Sequence, residues 1–133
     1  LLQGHTDHVF LRAATRYLYA HLLRAGVYIA EYERAMLHAK VCVVDGEWAC
    51  VGSSNLDPFS LLLSREANVV VREDEFATAL RTSLLNAIEN ESASIAPALW
   101  LRRPLPEKLG SAIAYAIARL GVAVAGVGGT LGA

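Results

Sequence analysis

The stretch from residue 38 to residue 55 constrains the fold of this chain more than any other. It reads His-x-Lys, four residues, Asp, six residues, Gly-Ser-x-Asn. Residues 41–44 are Val, Cys, Val and Val, which favour a strand, and residues 48–51 read as a returning strand after the turn signal Asp45-Gly46. The sequence therefore predicts a β-hairpin that closes through residues 45–47, with position 40 opposite position 52 and position 38 opposite position 54.

One end of this hairpin is predicted to be polar. Successive side chains of a strand point to opposite faces, so His38 and Lys40 share one face. Ser53 and Asn55 end the second strand with the same two-residue spacing. The hairpin would therefore bring an imidazole, an ammonium, a hydroxyl and a carboxamide together.

This set of side chains suits a phosphate ester. Lys40 supplies a compact positive charge for phosphoryl oxygens, and Ser53 and Asn55 supply neutral donors to the same group. His38 can attack phosphorus or carry a proton, because imidazole titrates near neutral pH. Fixed donors can meet the developing charge without a metal, so we predict neither a metal nor a cofactor. A lone histidine or lysine is usually a solvated surface residue, but five residue types at fixed spacing rarely coincide by chance.

The stretch resembles the HKD motif of the phospholipase D superfamily, and every motif position is matched. The flanking residues 36–40 (Met-Leu-His-Ala-Lys) and 51–58 (Val-Gly-Ser-Ser-Asn-Leu-Asp-Pro) are similar to the second half of bacterial cardiolipin synthases of the B type. The resemblance covers roughly residues 1–90. It implies an α/β layered domain with a mixed β-sheet flanked by helices, forming one half of a bilobal enzyme with a pseudo-twofold axis.

The resemblance also implies which residues form the site. In the superfamily an acidic residue shortly after the Asn often orients the catalytic histidine, and Glu66 fits that place. A surface ion pair of Glu66 with Arg65 or Arg72 is the alternative. The predicted catalytic residues are His38, Lys40, Asp45 and Glu66, and the predicted phosphate ligands are Lys40, Ser53 and Asn55.

The chain carries a single His-x-Lys motif. In the superfamily two such motifs face each other: one histidine forms a phosphohistidine, and the other is the general acid and base. The chain begins at Leu1 without a signal peptide, and we expect it to be a fragment of a longer protein. Its partner would be a missing N-terminal half or a second copy of the chain. The resemblance assigns His38 the acid/base role, but the two roles are nearly symmetric and the nucleophile role stays open.

The activity implied by the resemblance is phosphatidyl transfer. A phosphatidyl group would pass from phosphatidylglycerol to a second phospholipid alcohol, giving cardiolipin at the bacterial cytoplasmic membrane. Phospholipids and the membrane surface would be the partners. Two alternatives stay open: a phosphodiester hydrolase acting on lipid or nucleic acid, and a non-catalytic half-domain when isolated. The net charge of −1 argues against nucleic acid, since such surfaces usually carry a basic excess.

The rest of the chain indicates one folded domain followed by an apolar tail. Of 133 residues, 54% are hydrophobic and 19% are charged, which is typical of a folded chain with a real core. Periodicity predicts helices over residues 8–24 and 73–88, with strands at 26–33 and 66–71. The predicted hairpin places Cys42 opposite Cys50, and we predict that both are buried core residues in a reducing compartment.

Two segments are predicted, a catalytic half-domain at residues 1–92 and a C-terminal tail at residues 93–133. Arg119 divides the tail into uncharged runs of ten and fourteen residues, each too short to span a bilayer. Ser111, Tyr115 and Arg119 are four residues apart and predict a narrow polar edge on an apolar helix. This pattern suits a helix in the membrane interface, and packing against a missing part of the protein is the alternative.

Overall fold

The structure of the protein, a computed structural model, describes residues 1–5, 8–55 and 65–130. This part of the chain alternates short strands with helices, which confirms the predicted α/β class. Residues 56–63, whose sequence predicts a turn into a short helix, lie outside the described residues. The elements in chain order are β1 (Leu2–Gln3), α1 (Val9–Arg24), β2 (Ala30–Tyr32), β3 (Lys40–Val44), β4 (Trp48–Gly52), β5 (Asn68–Arg72), α2 (Asp74–Asn90), β6 (Ser92–Ser94), α3 (Pro97–Leu101) and α4 (Leu105–Thr130).

The described strands form two three-stranded sheets. One has the order β1-β2-β6, with β1 parallel and β6 antiparallel to β2. The other has the order β3-β4-β5 and contains only antiparallel pairs. The expectation of one mixed sheet containing the hairpin is therefore wrong. A parallel pair needs a long crossover between its strands, and β3 and β4 follow each other through a tight turn.

The hairpin of β3 and β4 has the predicted register. Lys40 lies opposite Gly52, Cys42 opposite Cys50, and Val44 opposite Trp48. The turn places Asp45 at φ 55° and Gly46 at φ 78°, the left-handed region that Asp and Gly tolerate best. The Glu47 N–H donates to the Val44 carbonyl oxygen at 3.1 Å and closes the turn. Local turn chemistry thus sets which residues stand opposite each other at the other end of the hairpin.

Helix α2 covers one face of this second sheet. Ala49 of β4 and Ala77 of α2 are almost completely buried. The other face carries Cys42 and Trp48 and is open in the described chain. The prediction that both cysteines are buried is therefore wrong, because Cys42 is exposed and Cys50 is only half-buried.

The residue that α2 buries near its start is not the one that the hydrophobic periodicity predicts. The helix begins at Asp74, and the carboxylates of Asp74 and Glu75 lie in its first turn, where the helix dipole favours negative charge. Phe76, which periodicity places in the buried stripe, is 39% exposed, and the neighbouring Ala77 is buried instead. The sheet approaches α2 closely enough for a methyl group to fill the contact.

Helix α1 ends where the sequence predicts. Gly26 has φ 82°, its N–H donates to the Leu23 carbonyl at 3.2 Å, and the Val27 N–H donates to the Leu22 carbonyl at 3.0 Å. This is a Schellman motif, which caps the last carbonyl groups of a helix. The core beneath α1 consists of Tyr19, Leu23 and Ile29, with Leu2, Leu22, Ile95 and Trp100 packed against it.

The segment after residue 92 is packed onto the rest of the chain. Strand β6 crosses the predicted boundary at residue 92 and pairs with β2. Helix α4 lies along α1, with the rings of Tyr115 and Tyr17 stacked at a centroid distance of 4.6 Å. Ser111 is 8% exposed. Ser111 and Tyr115 of the predicted polar edge therefore face α1. Among the described residues, no helix combines the length and the hydropathy needed to cross a membrane.

Candidate functional site

His38 and Lys40 lie side by side at the start of the hairpin. The Lys40 Nζ atom is 2.7 Å from His38 Nε2 and 3.4 Å from His38 Nδ1. His38 is exposed and Lys40 is half-buried. If the ammonium donates to Nε2, that ring nitrogen carries a lone pair, which is the state of a general base. The two side chains therefore present a proton acceptor and a positive charge at one point of the surface.

Strand β1 fixes the backbone next to His38. The Gln3 side-chain oxygen accepts a hydrogen bond from the Leu37 N–H, and the Gln3 amide group donates to the His5 carbonyl. Gln3 thus ties the residue before His38 to the first sheet. Sequence reasoning missed this contact, because nothing in the pattern around residue 3 indicates a partner at residue 37.

Ser53 is held by the segment that leads into β5. The Ser53 hydroxyl donates to the Glu66 carboxylate and accepts from the Ala67 N–H at 3.0 Å. The Ser53 N–H donates to the Ala67 carbonyl at 3.0 Å. Glu66 therefore orients the hydroxyl predicted to bind phosphate, and its predicted contact with His38 stays a prediction.

Asn68 is a second site residue that the sequence reasoning missed. Its amide nitrogen donates to the Ser54 hydroxyl at 2.6 Å, and its amide oxygen accepts from the Ser54 N–H at 3.3 Å. Gly52 makes this possible, because a Cβ at position 52 would meet the Asn68 side chain and lie 2.6 Å from the Ala67 carbonyl oxygen. The glycine before Ser53 is the only sequence signal that could have indicated such a close approach.

Asp45 lies away from the other predicted site residues. It is in the turn of the hairpin, whereas Lys40 is at the opposite end of β3. Four strand residues lie between them, so five steps of about 3.3 Å place them about 16 Å apart. The structure therefore does not bring Asp45 to the His38–Lys40 pair. Its described contribution is to the turn, where a short polar side chain tolerates a positive φ.

Asn55 follows Ser53 and Ser54 at the same end of the sheet and is exposed. Gly52 pairs with Lys40 on one side and with Asn68 on the other, so β4 places the Gly-Ser-Ser-Asn run between β3 and β5. The described part of the site thus contains an imidazole, an ammonium, hydroxyls and carboxamides. This set can bind an anion of phosphate type and move a proton.

A buried ionic cluster surrounds Glu31 of β2. Glu31 is 3% exposed, and its carboxylate accepts hydrogen bonds from Arg16 Nε at 2.9 Å, Arg12 at 3.0 Å and the Tyr19 hydroxyl at 3.0 Å. Burial raises the pKa of the Glu31 carboxyl, but the hydrogen bonds from Arg16 and Arg12 outweigh it and hold the pKa below its usual value. Burial also raises the pKa of Tyr19. These hydrogen bonds join α1 to β2. The sequence analysis did not predict the cluster.

Replacing Gly52 with alanine is expected to disrupt the Gly-Ser-Ser-Asn run. The new methyl group would press on the Ala67 carbonyl and on Asn68. Overpacking of this kind costs about 1–3 kcal/mol in the free energy of unfolding. Urea denaturation measures it, and activity should fall together with stability.

Gly110→Ala in α4 is the matched control for Gly52→Ala. Apart from its chain neighbours and the backbone of its own helix turn, no described atom lies within 4 Å of a Cβ at position 110. Alanine should therefore leave the stability unchanged or raise it by up to about 1 kcal/mol through helix propensity. Equal effects of the two substitutions would contradict the close approach of Asn68 to Gly52.

The family of the chain is shown by sequence comparison. A family profile described as "Cardiolipin synthase, PLD-like domain" matches residues 1–88. The chain belongs to this family of phospholipase D-like domains, which confirms the resemblance seen in the HKD stretch.

Curated relatives agree with the family assignment. The chain is 39% identical over 103 residues to cardiolipin synthase B of Salmonella typhi, covering 77% of this chain and 25% of that protein. It is 46% identical over 84 residues to cardiolipin synthase B of Escherichia coli K12, covering 63% of this chain and 20% of that protein. With cardiolipin synthase A of Klebsiella pneumoniae it shares 33% identity over 115 residues, covering 86% of this chain and 24% of that protein. The chain therefore spans about a quarter or less of the length of these relatives. No solved structure matches the chain.

Proposed function

We propose that the protein containing this domain transfers a phosphatidyl group from phosphatidylglycerol to the alcohol of a second phospholipid, which produces cardiolipin. The observation that carries the proposal is the His38–Lys40 pair, with 2.7 Å between Nζ and Nε2, at the edge of the Gly-Ser-Ser-Asn run. The names of the relatives, cardiolipin synthases A and B, support the choice of substrate.

Each side chain has a separate part in the proposed reaction. Lys40 binds the non-bridging oxygens of the phosphodiester, and Ser53 and Asn55 donate to the same group. In the structure the single O–H proton of Ser53 is donated to Glu66, so Ser53 would turn this proton to the phosphate when substrate binds, while the Ala67 N–H still donates to its oxygen. Because Lys40 would turn from His38 Nε2 to the phosphate oxygens, that ring nitrogen would become free to exchange a proton with substrate.

The proposed reaction has two steps and a shared site. A histidine from an opposing motif attacks phosphorus, the bond from phosphorus to the glycerol oxygen breaks, and His38, which would enter this step in its protonated form, gives that oxygen a proton. His38 then takes a proton from the hydroxyl of the incoming phospholipid, whose oxygen displaces the histidine. The opposing motif would come from an N-terminal half of the same protein or from a second copy, in a bilobal arrangement with a pseudo-twofold axis. The exposure of His38, Ser53 and Asn55 supports this, since an opposing half could cover them.

The proposed location is the bacterial cytoplasmic membrane, because both substrates are lipids of the bilayer. Hydrolysis of a phosphodiester is the second candidate function, and the exposure of the His38 side chain favours it because water could reach the site. The net charge of −1 favours a lipid over a nucleic acid as the substrate of such a hydrolase. An isolated domain with a single motif would be inactive on its own.

Labelled phosphatidylglycerol in bilayers separates these functions. The purified full-length protein is expected to convert it to labelled cardiolipin with release of free glycerol. Labelled phosphatidic acid as the main product would show a hydrolase instead. If the folded protein forms neither product, the proposed function is wrong.

A further inference from the structure

Helix α4 presents its large apolar side chains to solvent. Its inner side packs on α1 through small or ring-bearing residues, with Ser111 and Ala114 buried and Tyr115 stacked on Tyr17. Its outer side forms a row of six residues that are each between 52% and 79% exposed. We call this row the outer stripe: Leu105, Leu109, Ile113, Ile117, Leu120 and Val124.

The outer stripe is continuous and long. With about 100° of rotation per residue, its six side chains fall within a sector of about 120°. From Leu105 to Val124 the stripe extends for about 28 Å along one side of the helix. Soluble monomers rarely expose an apolar surface of this size, so it indicates an interaction surface.

Positive charges border the outer stripe. Lys108 and Arg119 lie about 40–60° beyond one edge of the stripe, and Arg102 and Arg103 come just before the helix. Glu107 is the one acidic residue between positions 97 and 130, and it lies about 140° from the centre of the stripe. An apolar face with a cationic border is complementary to an anionic lipid surface, where acyl chains lie beneath negative headgroups.

A basic cleft lies on the cationic side of the stripe. It has a volume of ≈180 Å³ and is lined by residues that include Arg24, Trp100, Arg103 and Lys108. The Arg103 guanidinium lies 3.5 Å from the centre of the Trp100 ring. The Trp100 indole N–H is buried and has no hydrogen-bond acceptor within the described part of the chain. A phosphate group of a lipid headgroup would balance the positive charges of Arg24, Arg103 and Lys108 at this cleft.

We propose that the outer stripe of α4 is a membrane-docking surface that lies in the interface of an anionic bilayer, with Arg102, Arg103, Lys108 and Arg119 at the level of the headgroups. The proposed function takes place at the same bilayer, but docking does not depend on catalysis by His38. The stripe lies along the interface and does not cross it.

A label on the stripe tests the proposal locally. In the full-length protein, Ile117→Cys is labelled with an environment-sensitive fluorophore after the other cysteines are replaced by serine. Vesicles of phosphatidylcholine with phosphatidylglycerol are expected to shift its emission to the blue and to raise its intensity. A label at Glu75→Cys on the exposed start of α2 is the matched control and should not respond. Vesicles of phosphatidylcholine alone should need at least about tenfold more lipid for the same shift, because the cationic border then has no anionic partner.

Two results would overturn the docking surface. If the emission from position 117 is already blue-shifted without lipid, another part of the full-length protein covers the outer stripe. Emission that stays unshifted with anionic vesicles would show that the stripe remains in water. The variant His38→Ala should dock as the unchanged protein does, so a loss of catalysis and a loss of docking are distinguishable.

Discussion

Replacing His38 with alanine is expected to lower cardiolipin formation by the full-length protein by about 10²–10⁴-fold, the range of general acid–base catalysis. In the proposed reaction the glycerol oxygen that leaves phosphorus is a poor leaving group without a proton, and the imidazole beside Lys40 would supply that proton. Because His38 is exposed, its removal should leave the fold and the free energy of unfolding nearly unchanged.

His21→Ala is the matched control for His38→Ala. His21 is also exposed, but it lies in the last turn of α1, far along the chain from the hairpin. The rate of cardiolipin formation should stay close to that of the unchanged protein. Full activity of the His38→Ala variant would show that His38 takes no part in the reaction.

Of the substitutions considered, Glu31→Ala is expected to lower the free energy of unfolding most. The substitution leaves Arg16 and Arg12 without the carboxylate that they share and takes the acceptor from the buried Tyr19 hydroxyl. Breaking a buried ion pair by removing one partner costs about 3–5 kcal/mol in the free energy of unfolding. Urea denaturation of the full-length protein, followed by tryptophan fluorescence, measures it. Trp100 should report locally, because its ring lies 5.1 Å from the ring of Tyr19.

Glu33→Ala is the matched control for Glu31→Ala. Glu33 is exposed two residues further along the chain, so its removal should change the free energy of unfolding by less than about 0.5 kcal/mol. A similar loss for both variants would show that the cluster around Glu31 does not stabilise the fold.

The contribution of Glu31 should also depend on pH. The hydrogen bonds in the folded state hold its pKa below the usual value, so the folded protein binds this proton less readily than the unfolded chain does. The stabilisation is therefore present above the unfolded pKa of about 4.3 and is lost as the pH falls through the lower folded value. The difference in stability between the unchanged protein and Glu31→Ala should shrink in acid. A difference that grows as the pH falls would contradict this sign.

The parts of the fold that follow from local chemistry were predicted from the sequence. The Asp45-Gly46 turn fixes the hairpin register, and the register places Lys40 opposite Gly52. Gly26 ends α1 because it adopts the left-handed conformation that caps a helix. These signals lie within a few residues of the structure that they determine.

The parts that depend on distant partners were not predicted. Glu31 reads as a polar residue of a strand, and only the packed helix α1 brings Arg12 and Arg16 to it. Gln3 is separated from Leu37 along the chain by the whole of α1 and by β2. Periodicity shows that one side of α4 is apolar, but it does not show which side faces α1. The small residues Ser111 and Ala114 indicate the side that faces α1, because closely packed helices leave no room there for leucine or isoleucine.

The most direct test of the role of His38 compares two leaving groups in the full-length His38→Ala variant. Phosphatidylglycerol needs a proton on its departing oxygen, whereas a phosphatidyl ester of p-nitrophenol does not. We expect the variant to be almost inactive on the first substrate and to release nitrophenol from the second in a burst close to that of the unchanged protein. Equal activity of the variant and the unchanged protein on phosphatidylglycerol, or an equal loss on both substrates, would contradict proton transfer by His38.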